Sequence, residues 1–258
     1  MTQITLLEKA FGSFSPQRLE VALSFLCKGL KVKIQVKGET TRDWVQIDVE
    51  GEDEPVALKL LDREIGLAPA SANAVGRFSS LRGKVIGADK STTELRVDVG
   101  VFQPRIYDAV IPLQRLQAQL TDGKSLPLQH VVKLFCLADF MPVHIKVVAD
   151  LNSEGGFWQA ELSETQLSQF SDWLKSNLDR LIVVGVSLRE VEVAVERSGH
   201  FRDVLRIEPL GLYEHAVLCK LGTDAVGLMP KLGPILRRAS FAPFSPRKIK
   251  DEVKREEY

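Results

Sequence analysis

The chain has 258 residues, 34 Lys plus Arg balanced by 34 Asp plus Glu, and an apolar fraction of 45%. That length holds two or three ordinary domains, and that apolar content excludes wholesale disorder. The balance of charge excludes a whole-molecule attraction to polyanions, so any nucleic-acid contact must come from a local basic patch.

Glu8 and Lys9 interrupt the apolar run that a signal peptide would need, and no stretch approaches the roughly 18 uncharged apolar residues of a membrane helix. A soluble, cytoplasmic protein without membrane contact is expected. Cys27, Cys136 and Cys219 are scattered among apolar neighbours and read as buried free thiols.

In chain order, Ile4 to Ala10 is a first strand, and Ser15-Pro16 offers an N-cap and first-turn proline for a helix to about Gly29. Leu19, Leu23, Leu26 and Leu30 recur at helical spacing, with Val21, Ala22 and Phe25 widening the stripe. Val32, Ile34 and Val36 alternate with polar residues as a second strand, and Trp44 to Val49 is a third. GEDEP then opens a helix bearing Val56, Leu58, Leu60, Leu61 and Ile65, giving an N-terminal α/β layer over 1–70. Gly66 to Gly76, small and uncharged, is the candidate linker.

Lys84 to Ala88, Leu95 to Val99 and Ala109 to Leu113 read as three strands. A helix from Ser125 to Phe140 enters through Pro127, and the strands Val143 to Ala149 and Phe157 to Leu162 follow, separated by the turn NSEGG. Ser163-Glu164-Thr165-Gln166 is a capping box for a helix with Leu167, Phe170, Trp173, Leu174 and Leu178 on one face. Leu181 to Val186 is a buried strand or a helix extension. If it is a strand, the order to Phe244 is strand, helix, strand, strand, helix, strand, the ferredoxin-like arrangement. A charged tail, 246–258, is expected to fray. The fold class expected is α+β: an N-terminal α/β layer, a central five-stranded OB-fold barrel over 76–163, and a helical plus ferredoxin-like part over 164–245.

The central strands carry Gly83-Lys84-Val85, Val97-Asp98-Val99-Gly100, Val110-Ile111-Pro112-Leu113 through Leu116, and Leu162-Ser163. This pattern resembles the RNA-binding repeat of ribosomal protein S-one, an OB fold, over roughly a third of the chain. The resemblance implies an RNA-binding barrel with a helix between its third and fourth strands. Where that repeat carries base-stacking aromatics this sequence has Arg96 and Pro112. Arg77, Arg82, Lys84, Lys90, Arg96 and Arg105 nevertheless outnumber the local acids, with Phe78, Phe102 and Tyr107 interleaved. The candidate RNA-binding residues are Arg77, Arg82, Lys84, Lys90, Arg96, Phe102, Arg105 and Tyr107; the alternative is a solvated barrel exterior.

Four dispersed histidines give no convincing metal site. His215 and Cys219 on one strand face, with His200, fall short of a structural zinc's four ligands. No pattern for catalysis or cofactor binding occurs, so a non-enzymatic protein without a cofactor is expected. Lys220 to Leu236 resembles the ligand loop of ACT regulatory domains through Asp224, Gly227 and Leu228, which would make Asp224 and Gly227 ligand-binding; a capped helix is the alternative.

GHFRDVLRIEPLGLYEHAVLCKLGTDAVGLMPKLG at Gly199 to Gly233, with LQAQL and LSETQLSQFSDWL, resembles an uncharacterised conserved archaeal family. The order of barrel, helical and α/β parts is similar to that of the archaeal initiation factor two alpha subunit and the exosome cap proteins. The functions implied are RNA binding in translation or RNA processing, within a ribonucleoprotein or transcription complex. The alternatives are an adaptor docking on a ribosome or RNA polymerase, and a small-molecule sensor.

Overall fold

A computed structural model describes residues 2–10, 14–151 and 155–253. The fold is mixed α+β, with a closed five-stranded barrel and separate three- and four-stranded sheets. Contacts divide it into two units, Met1–Val75 with Val99–Tyr107, and Gly76–Asp98 with Asp108–Tyr258. No helix among the described residues is long and apolar enough to cross a membrane.

In the first unit, β1 (Thr2–Lys9), β2 (Val32–Glu39) and β3 (Trp44–Gly51) form an antiparallel sheet in the order β1-β3-β2. The central position of β3 explains its run of buried residues, Trp44, Val45, Ile47 and Val49. Helix α1 (Pro16–Leu26) starts where expected, with the Ser15 hydroxyl accepting the Arg18 N–H at 3.4 Å. It ends three residues before Gly29, and its buried stripe is narrow: Leu19, Leu23 and the capping Cys27. Val21 and Phe25, expected to widen that stripe, are 70% and 75% exposed, because a helix lying on one sheet buries only its i, i+4 row. On α2 (Glu54–Glu64) the buried pair is Ala57 and Leu61, and Val56 faces out. The expected linker, 66–76, is held at its start, where Leu7 N–H donates to Gly66 O and Ala68 N–H donates to Thr5 O, both at 2.9 Å.

The barrel consists of β4 (Ser80–Ile86), β5 (Glu94–Val101), β6 (Tyr107–Pro112), β7 (Pro142–Val147) and β8 (Phe157–Leu162), closed in the order β4-β5-β6-β8-β7. Strand β4 runs antiparallel to β5 and β7, β7 antiparallel to β8, and β6 parallel to β8. This is an OB-like barrel: its third and fifth strands pair in parallel and its fourth returns to the first. Burial alternates along β7 and β8, turning Val143, Ile145, Val147, Trp158, Ala160 and Leu162 inward. Gly83 is obligatory because a Cβ there would sit 2.5 Å from Asp98 O on β5. Two helices, α3 (Leu113–Leu120) and α4 (Leu128–Leu134), occupy the connection expected to hold one. Helix α4 stops well short of Phe140 because Cys136 (φ 54°) and Phe140 (φ 67°) adopt left-handed backbone, which a helix cannot contain. The expected turn NSEGG lies partly outside the described residues.

Beyond the barrel run α5 (Glu164–Ser176), β9 (Arg180–Val184), α6 (Leu188–Arg197), β10 (Val204–Pro209), β11 (Glu214–Cys219), α7 (Ala225–Leu232), β12 (Ser240–Phe244) and α8 (Pro246–Val253). The apolar run that begins at Leu181 is thus a strand and not a helix extension. It is buried throughout, at the heart of an antiparallel sheet ordered β10-β11-β9-β12. One sheet face packs on α6 and α7 through Val191, Ala194, Val217, Leu228 and Leu232. Phe244 of β12 instead joins an aromatic cluster with Phe135, Phe170 and Trp173, with the Phe170 and Phe244 rings stacked at 6.2 Å.

The capping box expected at α5 is one-sided. Ser163 Oγ accepts the Gln166 N–H at 3.3 Å, but the Gln166 amide accepts the His144 N–H at 3.0 Å and donates to Gln169. The reciprocal box lies at Ser187 and Glu190 of α6. The tail expected to fray forms α8 as far as Val253, with Ile249 buried at 2% exposure and Lys124 Nζ donating to Glu252 O at 2.7 Å. Residues 254–258 lie outside the described residues.

Candidate nucleic-acid interface

The structure separates the candidate residues. Phe102, Arg105 and Tyr107 belong to the first unit, where the Arg105 guanidinium stands 5.2 Å over the nearly buried Tyr107 ring and Phe102 is half-buried. Arg77, Arg82, Lys84, Lys90 and Arg96 belong to the second unit. Among these, Lys90 is exposed in the turn after β4, and Arg96 projects from β5 with its guanidinium bonded to Glu94 at 2.9 Å.

Lys84 departs from the expectation of an RNA face. It is 2% exposed, and its Nζ lies 2.8 Å from Oε1 of Glu214 on β11, itself 0% exposed. Asp98, its register partner on β5, is equally buried. Alternation along β4 does turn Lys84 out of the barrel, but the C-terminal sheet covers that position. No local feature of the sequence reveals a cover supplied 130 residues later.

Sequence reasoning names Phe78, just before β4, among the interleaved aromatics but leaves it out of the candidate RNA-binding residues. Its ring is 60% exposed, with the Arg77 guanidinium 4.8 Å and Lys146 Nζ of β7 5.9 Å from its centroid. Its backbone is left-handed, φ 67°, and is held there by an N–H donated to Val147 O at 2.8 Å. Arg77 is braced by its Nε donating to Val148 O at 3.1 Å. Arg82 lies opposite His144 in the β4–β7 register, two residues from the pair Ser80 and Lys146. Burial, and then the Arg82 charge, push the His144 imidazolium down to about 4, so His144 is neutral near pH 7. The interleaving of Phe78 with basic residues is the available signal. Its outward direction depends on a positive φ that the sequence alone does not announce.

Asp224 caps α7: its carboxylate accepts the Gly227 N–H at 2.6 Å, and a Cβ on Gly227 would come within 3.3 Å of the same carboxylate. Asp179 also accepts the Ala225 N–H at 3.2 Å, so two carboxylates occupy the helix start. His215 is buried, with Nε2 3.0 Å from Val186 O, and burial holds its imidazolium pKa below the usual range. Among the described residues no group of three or more His, Cys, Asp or Glu is placed to hold a metal ion. All three cysteines are free and buried, and burial pushes the Cys136 and Cys219 thiols up to about 12.

Residues 178–242 match the model of the DUF2110 C-terminal domain. This region runs from the end of α5 into β12, about a quarter of the chain. A comparison with curated proteins gives no match. Among solved structures, the intact alpha subunit of aIF2 from Pyrococcus abyssi is similar over 71% of this chain and 98% of its own, with 10% identity and a TM-score of 0.26. A likeness that distant carries no argument about function.

Proposed function

We propose that the protein is a non-enzymatic RNA-binding protein of translation or RNA processing. The observation that supports this reading is an OB-like barrel whose β4–β7 side brings Arg77 and Lys146 to an exposed aromatic ring, with Arg82 further along β4. In a molecule of zero net charge such a local group is what can attract a phosphate backbone. The central strand motifs that resemble the S-one repeat point the same way. The C-terminal element order and sheet order fit a ferredoxin-like arrangement.

Fluorescence anisotropy of a labelled RNA, titrated at 50 and 200 mM salt, tests the reading. Binding should weaken with salt by a log–log slope of about −0.7 per phosphate contacted on a single strand. Arg77→Glu with Lys146→Glu should remove most of it. Absent or salt-independent binding overturns the proposal.

A second reading, a protein-interaction adaptor docking on a ribosome or RNA polymerase, draws on the exposed Val21 and Phe25 of α1. A partner retained after nuclease treatment and lost in Phe25→Ser would favour it.

A further inference from the structure

We infer that Phe78 is a base-stacking platform, and that the barrel therefore takes an unpaired base of single-stranded RNA on its β4–β7 side rather than at Arg96 and Pro112. This rests on the RNA-binding reading and narrows it to one site and one form of RNA.

Three independent observations converge on Phe78. First, a large ring left 60% exposed gains little from burial where it stands. Second, its left-handed backbone is a position that bulky side chains rarely adopt, and Asn or Gly would occupy it with less strain. The cost is borne while the hydrogen bond from its backbone N–H to Val147 O holds the backbone in that conformation. Third, the ring is attended by Arg77 and Lys146, neither of which is paired with a carboxylate among the described residues. The carboxylate opposite Lys146 in the register, Glu161, is bonded to Arg115 at 2.9 Å, whereas Arg96 and Lys84 are neutralised by Glu94 and Glu214.

An aromatic ring beside two cations that pair with no carboxylate among the described residues matches the chemistry of one nucleotide: the base stacks on the ring or on the Arg77 guanidinium plane, and the flanking phosphates meet Arg77 and Lys146. A duplex hides its bases from such a ring, so discrimination should favour single strands.

The full chain is titrated with a labelled RNA of about 12 nucleotides, within the span that a single OB fold covers, with the same RNA as a duplex, and with a DNA strand of the same sequence. Wild type should prefer the single-stranded RNA to the duplex, and Phe78→Ala should weaken single-strand binding about 10-fold or more while leaving the thermal midpoint within a few degrees. Phe78→Trp should retain affinity, and its added emission should be quenched by bound RNA, which a purely electrostatic role would not produce. If wild type binds RNA but Phe78→Ala binds equally well, or the duplex binds as tightly, the stacking site is overturned while RNA binding stands. If Phe78→Ala affects only the DNA strand, the assignment to RNA is overturned. If wild type binds none of the three, the functional reading itself fails.

Discussion

At the scale of single residues, Lys84 shows how a correct local inference meets a distant fact. Period-two alternation puts its side chain outside the barrel, and that direction is right; Glu214, contributed by another sheet, then buries it. Removing one member of a buried, desolvated ion pair costs about 3–5 kcal/mol. Lys84→Met and Glu214→Gln should each destabilise the fold by that order in urea melts, and Lys84→Met combined with Glu214→Leu should recover much of the loss. His144 carries a second expectation. Its folded-state pKa of about 4 lies below the ordinary value of 6.5, so the unfolded chain binds the proton more readily. The resulting stability is complete above pH 6.5 and is lost as pH falls toward 4. His144→Gln should flatten the fall of the urea midpoint across that interval, although His215, shifted in the same direction, will keep part of it. Phe78 is visible in the sequence among basic neighbours but its role is not, because exposure there follows from one dihedral angle.

Among the elements, those defined by a strong period are legible: α1 with its Ser15-Pro16 start, the barrel strands, and β9 once its buried neighbours are known. The departures share a cause, which is competition from tertiary partners. Gln166 has the spacing for a reciprocal cap, but the backbone of His144 takes its amide. Helix α3 is hard to see because Leu116 and Leu120 alone mark its buried side amid glutamines, directly after a strand. The charges of the C-terminal tail suggest fraying, yet Ile249 at the centre of an amphipathic helix provides an anchor. Ile249→Ala should cost about 2–4 kcal/mol through the cavity it leaves, read as a lowered urea midpoint. Were α8 frayed, the change would be near zero.

For the whole molecule, the barrel is foreseeable in its strands, while the closing order requires the parallel pairing of β6 with β8, which no spacing in the chain encodes. The same holds for the division into units, in which Val99–Tyr107 belongs with Met1–Val75. A cut of the chain at residue 76 would therefore strip that segment of its contacts. Amide exchange at 99–107 should be faster in a 76–258 fragment than in the full chain, and equal rates would refute the coupling. The Lys84–Glu214 pair also imposes an order in time. Ribosomes add about 5–20 residues per second, so the 130 residues separating the two delay the carboxylate by on the order of ten seconds after the lysine is made. From the completion of β8 at Leu162 until Glu214 arrives, the nascent barrel displays a cation that the finished protein conceals.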